Sequence, residues 1–445
     1  MNHEACVVTC HIEKDKNEFQ NLYTSSHPSQ ISEVTDTISA RVIDEMNQNL
    51  IQTFTRSEVE AALKQMRPTK APGPNGMSAI FFQKYWDVVG NDITCMVLNV
   101  LNRNMSMSNI NRTNITLMPK INIPSKMTDF RPISLSNVVY KLIAKVLANR
   151  LKVVLPHIIS ENQNAFLLER LISDNVLVVF ELMHYLEHKK EGKENLMAVK
   201  LDISKAYDRV EWGFIERVME KMGFHEKLIS LIMQCISTVS YSVIINGSVN
   251  ACIHPIRGLR QGDPLSPYLF MLCADGFSSL IKDTARNQVL SGISICRGCP
   301  MVLHLFFAND SLLFYKATDR ECRKLVEILE LYEAVLGQKL NKDKSSVFFS
   351  HNTPQERRSE VIGILGPMQD TRHNKYLGLP SIIGRSKMEE FAEVKERVGK
   401  KLARWKEKML SMGGKEVLIK AVAQAVPTYT MSCFFLPKGL CEEIE

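Results

Sequence analysis

Apolar residues run into a polar pair and out again along His304-Leu305-Phe306-Phe307-Ala308-Asn309-Asp310-Ser311-Leu312-Leu313-Phe314. That order calls for two short buried strands joined by a tight turn at Asn309-Asp310, residue types that tolerate the backbone angles such turns need. Taken alone, it is an ordinary hairpin. A second acidic strand changes its meaning. Ala198-Val199-Lys200-Leu201 is a mostly apolar run that Asp202 closes, and a helix follows Ile203-Ser204-Lys205-Ala206-Tyr207-Asp208. If the two strands lie side by side, Asp202 and Asp310 meet at one end of a sheet. Clustered carboxylates with little to neutralise them are a site for hard divalent cations, above all Mg²⁺.

A chain of 445 residues is long enough for two or three packed units, and 45% hydrophobic with 23% charged residues is a globular balance. The net charge of +7 permits nucleic-acid binding without requiring it. Cys296-Arg297-Gly298-Cys299 is a lone CxxC, and Cys6 and Cys10 before His11 are equally unmatched. A structural zinc site takes four ligands, so both read as incidental, and the odd count of 11 cysteines fits a reducing compartment. No apolar run is long enough to span a membrane, and residues 1–6 lack the basic and apolar regions of a signal peptide. An intracellular protein, nuclear or cytoplasmic, is expected.

Residues 1–50 are polar and weakly patterned, a partly ordered lead-in. Thr55-Arg56-Ser57-Glu58 has capping-box spacing, and Val59, Ala62, Leu63 and Met66 form an apolar stripe that Pro68 ends. Lys70-Ala71-Pro72-Gly73-Pro74-Asn75-Gly76 is a stiff, turn-rich loop whose lysine either holds a phosphate or is simply solvated. Val139, Leu142, Ile143, Val146, Leu147 and Leu151 recur at helical spacing up to Pro156, which is read as the end of that segment. The interleaved Lys141, Lys145, Arg150 and Lys152 read as a solvated face or, less simply, as a track for a nucleic-acid strand. Val243-Ile244-Ile245-Asn246-Gly247-Ser248-Val249 signals a hairpin on an Asn-Gly turn. Asp208 reads as a helix cap, and Ser266-Pro267 as the start of another helix, with Ser266 at the cap and Pro267 at the first position. A last basic amphipathic helix sets Phe391, Val394, Val398, Leu402, Trp405 and Met409 on one face. Lys395, Arg397, Lys400, Lys401, Arg404, Lys406 and Lys408 flank it. It reads equally as a backbone-tracking helix or as a solvated one with Glu-Lys pairing.

Phe307-Ala308-Asn309-Asp310, the Asp202 strand and the unbroken block Arg257-Gly258-Leu259-Arg260-Gln261-Gly262-Asp263-Pro264-Leu265-Ser266-Pro267-Tyr268-Leu269-Phe270 together resemble the reverse transcriptase of plant LINE-type (non-LTR) retrotransposons. The family's hairpin reads Phe-Ala-Asp-Asp, so Asn309 stands where a metal-binding carboxylate is expected. The resemblance runs from about residue 55 to the end. It implies an α+β right-hand polymerase whose antiparallel palm sheet packs on helices: fingers over 51–195, palm over 196–380 and a truncated thumb over 381–445. The reverse transcriptase domain would span about 112–380, excised from a longer polyprotein.

The same resemblance implies roles. Asp202 and Asp310 would hold two Mg²⁺ ions, with Mn²⁺ as an alternative, and Asn309 would offer only a neutral carbonyl oxygen. Tyr207 would sit under the nucleotide sugar and reject a 2′-hydroxyl; otherwise it packs at a strand-to-helix junction. Gln261 and Gly262 would lie beside the template base and nucleotide. Arg131, with its planar fork, and Lys120 would steady the incoming phosphates, unless they are ordinary surface charges. Lys344 would protonate the leaving pyrophosphate or hold its charge. Tyr376-Leu377-Gly378-Leu379-Pro380 resembles the hairpin that grips the primer end. The expected partners are an RNA template, a DNA primer and deoxynucleoside triphosphates, with no membrane and no protein partner. The expected function is RNA-directed DNA polymerisation, the alternative a catalytically silent nucleic-acid-binding remnant of the same fold. Tyr207 argues against an RNA-dependent RNA polymerase, which needs room for the 2′-hydroxyl.

Overall fold

The computed structural model describes residues 20–126, 129–245, 247–371, 375–384, 386–406 and 410–445. Cys6, Cys10, His11, Asn246, Lys408 and Met409 lie outside the described residues, as do the side chains of Arg404, Trp405 and Lys406. Thirteen strands are described in chain order: β1 (Arg112–Pro119), β2 (Phe130–Ser136), β3 (Leu196–Leu201), β4 (Ile203–Ser204), β5 (Ser240–Ile245), β6 (Ser248–Ile253), β7 (His304–Phe307), β8 (Asp310–Lys316), β9 (Lys339–Leu340), β10 (Ser346–Phe349), β11 (Gln369–Asp370), β12 (Lys375–Tyr376) and β13 (Leu379–Pro380). Two compact units share them. The first holds the described residues up to Glu169 with Asp202–Leu290 and Arg323–Asn341; the second holds Arg170–Leu201, Ser291–Cys322 and Lys342–Glu445. The chain is mixed α and β, with mostly antiparallel pairing.

In the first unit a four-stranded sheet runs in the order β2-β1-β5-β6. β1 pairs antiparallel with β2 and parallel with β5, and β5 turns back into β6 with Ile245 opposite Ser248. Gly247 takes φ +80°, the left-handed conformation that the Asn-Gly pair predicts. Tyr23 from the amino-terminal stretch packs edge-on against Tyr241, ring centroids 5.1 Å apart. The helices Val138–Ile158, Trp212–Met222 and Ser266–Arg286 pack together as the core. Within residues 20–51, helices Ile31–Thr35 and Asp44–Ile51 form, and Val34, Ile38, Val42 and Leu50 are buried.

In the second unit the order is β11-β10-β3-β8-β7. β3 is central, antiparallel to both β10 and β8, and all its residues but Lys200 are buried. The helix Ile172–His188 lays Val179, Leu182, Met183 and Leu186 on Leu196, Ala198, Leu312 and Phe314. Among the described residues no helix is long and apolar enough to cross a membrane.

Three local readings are corrected. Pro156 does not end its helix, which runs on to Ile158. A proline there removes one bond near the helix's end, and buried Leu155, Ile158 and Ile159 hold the last turn against the core. Ser266 is the first helical residue rather than the cap, which falls on Leu265. Arg150 and Lys141 are buried, not solvated.

The Arg150 guanidinium lies 3.5 Å over the Phe54 ring. It donates to Glu58 (2.7 Å) and to the carbonyls of Leu50 (2.9 Å) and Gln52 (2.7 Å). Glu58 in turn accepts the Thr55 N–H at the start of the Arg56–Lys64 helix, closing the predicted capping box. Arg150→Ala strips a charge partner and two carbonyl partners at once. It is expected to cost about 3 kcal/mol, read as a lowered urea midpoint for unfolding.

Candidate active site

The β3–β8 ladder carries the two acids toward one end of the second unit's sheet. Its register runs from Leu196↔Lys316 to Leu201↔Ser311. Asp202 is the residue after Leu201, and Asp310 is the residue before Ser311. Asp310 itself is the first residue of β8, opposite Phe307. The two-residue turn is therefore Ala308-Asn309, one position earlier than the Asn309-Asp310 turn expected from residue type. Ala308 takes the left-handed φ of +55°, and Asn309 is exposed at the tip. Tertiary pairing of β8 overrides the turn preference of Asp310. The Asn175 amide donates to the Phe306 carbonyl (3.0 Å) from the buried helix beneath β7.

Asp202 is partly exposed and begins the first unit's share of this stretch. Its carbonyl accepts the Asn341 N–H (2.8 Å), and one residue on, Ile203 pairs with Leu340. The backbone at the acid is thus pinned by Leu340 and Asn341, much later in the chain. Tyr207 is half-buried, its ring stacked on Phe270 at 4.6 Å and 11°. Burial pushes its phenol up to about 12, so it stays neutral at any ordinary pH.

Asp208 is not a helix cap. The next helix starts at Trp212 behind Glu211, and Asp208 is 2% exposed. It accepts a hydrogen bond from the Gln261 amide (3.2 Å), which fixes that side chain. The Gln261 carbonyl accepts the Ser134 N–H of β2 (3.0 Å), and Gly262 has φ +96°, which favours glycine. The glutamine-glycine turn is thereby docked on the strand that carries exposed Arg131, opposite Met118 of β1. Lys120 is exposed just beyond β1, its N–H on the Asp129 carbonyl (2.7 Å), and its charge acts on Asp208. The first unit therefore gathers Tyr207, Asp208, Gln261, Gly262, Arg131 and Lys120 around β1 and β2.

Lys344 is exposed in the second unit, before buried Ser345 at the start of β10. β12 and β13 form the expected small hairpin, turned by Leu377 (φ +50°) and Gly378 (φ +82°). Sequence reasoning missed the Asp208–Gln261 link. Its one signal was a carboxylate set between the apolar residues Ala206, Tyr207 and Val210.

The donors at the two acids are hard oxygens, the chemistry of a divalent cation of the Mg²⁺ type. Among the described residues no three His, Cys, Asp or Glu side chains come together as a metal-holding group. Asp202 and Asp310 each carry such carboxylate oxygens, and Asn309 carries a neutral amide. Cys296 and Cys299 meet with sulfurs 2.7 Å apart.

Residues 119–381 match the family model described as reverse transcriptase (RNA-dependent DNA polymerase). Similar proteins include the uncharacterized 149 kDa protein of transposon TX1 from Xenopus laevis, 27% identical over 93% of this chain and 31% of that protein. A Pol polyprotein of the type-1 retrotransposable element R2 from Popillia japonica is 25% identical over 58% of this chain and 34% of its own length. An uncharacterized mitochondrial protein from Arabidopsis thaliana is 47% identical over 15% of the chain and 56% of that protein. The chain thus spans about a third of the two polyprotein-sized relatives.

Burial pushes the Asp208 carboxyl up to about 6, against the pull of Lys205, the Gln261 amide and Lys120. An unfolded aspartate titrates near ~3.9, so the folded chain binds this proton more tightly. The stability it contributes is full below pH ~4 and is lost as pH rises through about 6, a change of about 3 kcal/mol at most. Asp208→Asn removes that dependence. Urea unfolding from pH 4.5 to 7.5 should show the variant gaining on the native chain as pH rises; a gap that stays flat would refute the assignment.

Proposed function

The chain belongs to the reverse transcriptase (RNA-dependent DNA polymerase) family, and from that membership we propose that it is the RNA-directed DNA polymerase portion of a plant LINE-type (non-LTR) retrotransposon. One observation carries the site assignment: the β3–β8 ladder ends at Leu201↔Ser311, with an acid next in line on each strand. The relatives from elements TX1 and R2 support the retrotransposon reading, and the Arabidopsis relative supports the plant one. In this reading residues 51–195 are fingers, 196–380 palm and 381–445 thumb. The partners are an RNA template, a DNA primer and deoxynucleoside triphosphates.

Polymerases of this family generally use divalent metal ions. Asp202 and Asp310 are the side chains that would hold two of them, Mg²⁺ by the hardness of the donors, with Mn²⁺ as an alternative. Such ions, when bound, lower the pKa of the primer 3′-hydroxyl and offset charge on the leaving pyrophosphate. The remaining residues position and discriminate. Tyr207, backed by Phe270, blocks the space of a ribose 2′-hydroxyl. Gln261, held by Asp208, and Gly262 set the edge against which nucleotide and template base lie. The Arg131 fork and the Lys120 ammonium bind phosphate oxygens, and Lys344 Nζ offers a proton to the departing pyrophosphate.

Asn309 supports a second reading, a silent nucleic-acid-binding remnant. It replaces a charge with a neutral amide, a weaker ligand for a hard cation. A loss of ~3–4 kcal/mol of transition-state stabilisation would slow turnover about a hundred- to a thousandfold. Primer extension on an RNA template with Mg²⁺ tests both readings, with Asp202→Ala as the blank. Asn309→Asp is expected to extend at least a hundredfold faster than the native chain. If neither protein rises above the blank while both bind primer-template, the polymerase reading fails and the remnant stands.

A further inference from the structure

Two thiols fall short of a structural zinc site, yet Cys296 and Cys299 are placed for a different chemistry. They sit in the hairpin loop that leads into β7. Ile293 and Val302 close that loop with two backbone hydrogen bonds, each 2.9 Å. Gly292, just outside this bridge, has no room for a Cβ, which would lie 2.6 Å from the Val302 carbonyl oxygen. The two sides of the loop are therefore pressed together at its base.

At the tip the Cys299 N–H donates to the Cys296 carbonyl (3.1 Å), which makes Cys296-Arg297-Gly298-Cys299 a β-turn. Gly298 takes φ +90°, the conformation that a type II turn requires at its third residue. The Ser294 hydroxyl donates to both cysteine carbonyls, at 2.9 Å for Cys296 and 3.0 Å for Cys299, and ties the base of the loop to its tip. Such a turn keeps its end Cα atoms within ~7 Å, the range that a disulfide spans. Both side chains are exposed, and their sulfurs are 2.7 Å apart.

We propose that Cys296 and Cys299 are a reversible modification site, a dithiol that closes to a disulfide by reaction with a low-molecular-weight disulfide of the glutathione type. One cysteine thiolate attacks a sulfur of the small disulfide, whose S–S bond breaks and releases one thiolate. The second cysteine thiolate attacks the protein sulfur of the mixed disulfide and expels the other. Two protein thiols are oxidised, the small disulfide is reduced to two thiols, and the two cysteine protons end on them. In a reducing compartment the pair stays open, so closure reports a shift toward oxidation. The closed form fixes the tip of the hairpin from which β7 starts.

The test reads closure, not turnover, so it stands apart from the polymerase reading. The full chain, Cys296→Ser and Cys299→Ser are equilibrated with oxidised glutathione, blocked with N-ethylmaleimide and digested with trypsin. Arg297 lies between the two cysteines, so Cys296 falls in the peptide Asn287–Arg297 and Cys299 in Gly298–Lys316. In the native chain both N-ethylmaleimide labels are expected to be lost, and the two peptides to be joined by a bond that dithiothreitol opens. Each single variant is expected to stop at the mixed disulfide, with one glutathione on its remaining cysteine. In urea the hairpin no longer holds the turn, and closure is expected to need about tenfold more oxidised glutathione at fixed reduced glutathione. A native chain that keeps both labels, or carries glutathione on this pair in place of the internal bond, overturns the proposal. So does closure as easy in urea as in the folded chain, since the spacing alone would then account for it.

Discussion

The first unit is organised around one buried guanidinium. Arg260 sits where β1, the Val138–Ile158 helix and the Glu226–Ser237 helix come together. It donates to the Asn111 side chain, the Tyr140 hydroxyl and the Cys235 carbonyl, and pairs with Asp263. Its plane also lies 3.9 Å from the centre of the Tyr140 ring. Burying such a charge is costly unless its donors are met by well-placed acceptors. The elements that supply them are thereby fixed relative to one another. Gln261 and Gly262 follow directly in the chain, so the turn read as facing nucleotide and template starts from a residue held by several partners. A lysine at 260 would keep the charge but lose the planar fork that serves several partners at once.

Much of this was legible in the sequence, because the informative features are local and chemically unusual. Apolar runs closed by Asp202 and opened by Asp310 imply strands with acidic ends, and the observed register brings each run to a stop at its acid. The hairpin that pairs Ile245 with Ser248 and the capping box at Thr55 need only neighbouring residues to declare themselves, and both form. The misreadings share one cause, a tertiary contact outweighing a local preference. Asp310 has turn propensity but is claimed by β8. Pro156 is a helix breaker but falls near a buried end.

Periodicity fails in a similar way on basic residues. It reports that Lys141 and Arg150 leave the main apolar stripe, and not that another element waits on that side. Arg150 meets Glu58 and two carbonyls from a segment about ninety residues earlier in the chain. Asp208 looked like a cap because a helix begins nearby. Its burial and its hold on Gln261 come from a contact 53 residues away in sequence. Long-range partners of single polar side chains are what a one-sequence reading has least access to.

The functional account turns on a single amide. Every other position of the proposed site carries a side chain suited to its role, and position 309 carries a neutral one on an exposed turn. The most direct test is Mn²⁺ binding by calorimetry to the native chain and to Asn309→Asp. The account predicts at least tenfold tighter binding by the variant, with Asp202→Ala abolishing the gain. Equal affinity in the two proteins would contradict the claim that residue 309 belongs to the metal-holding set.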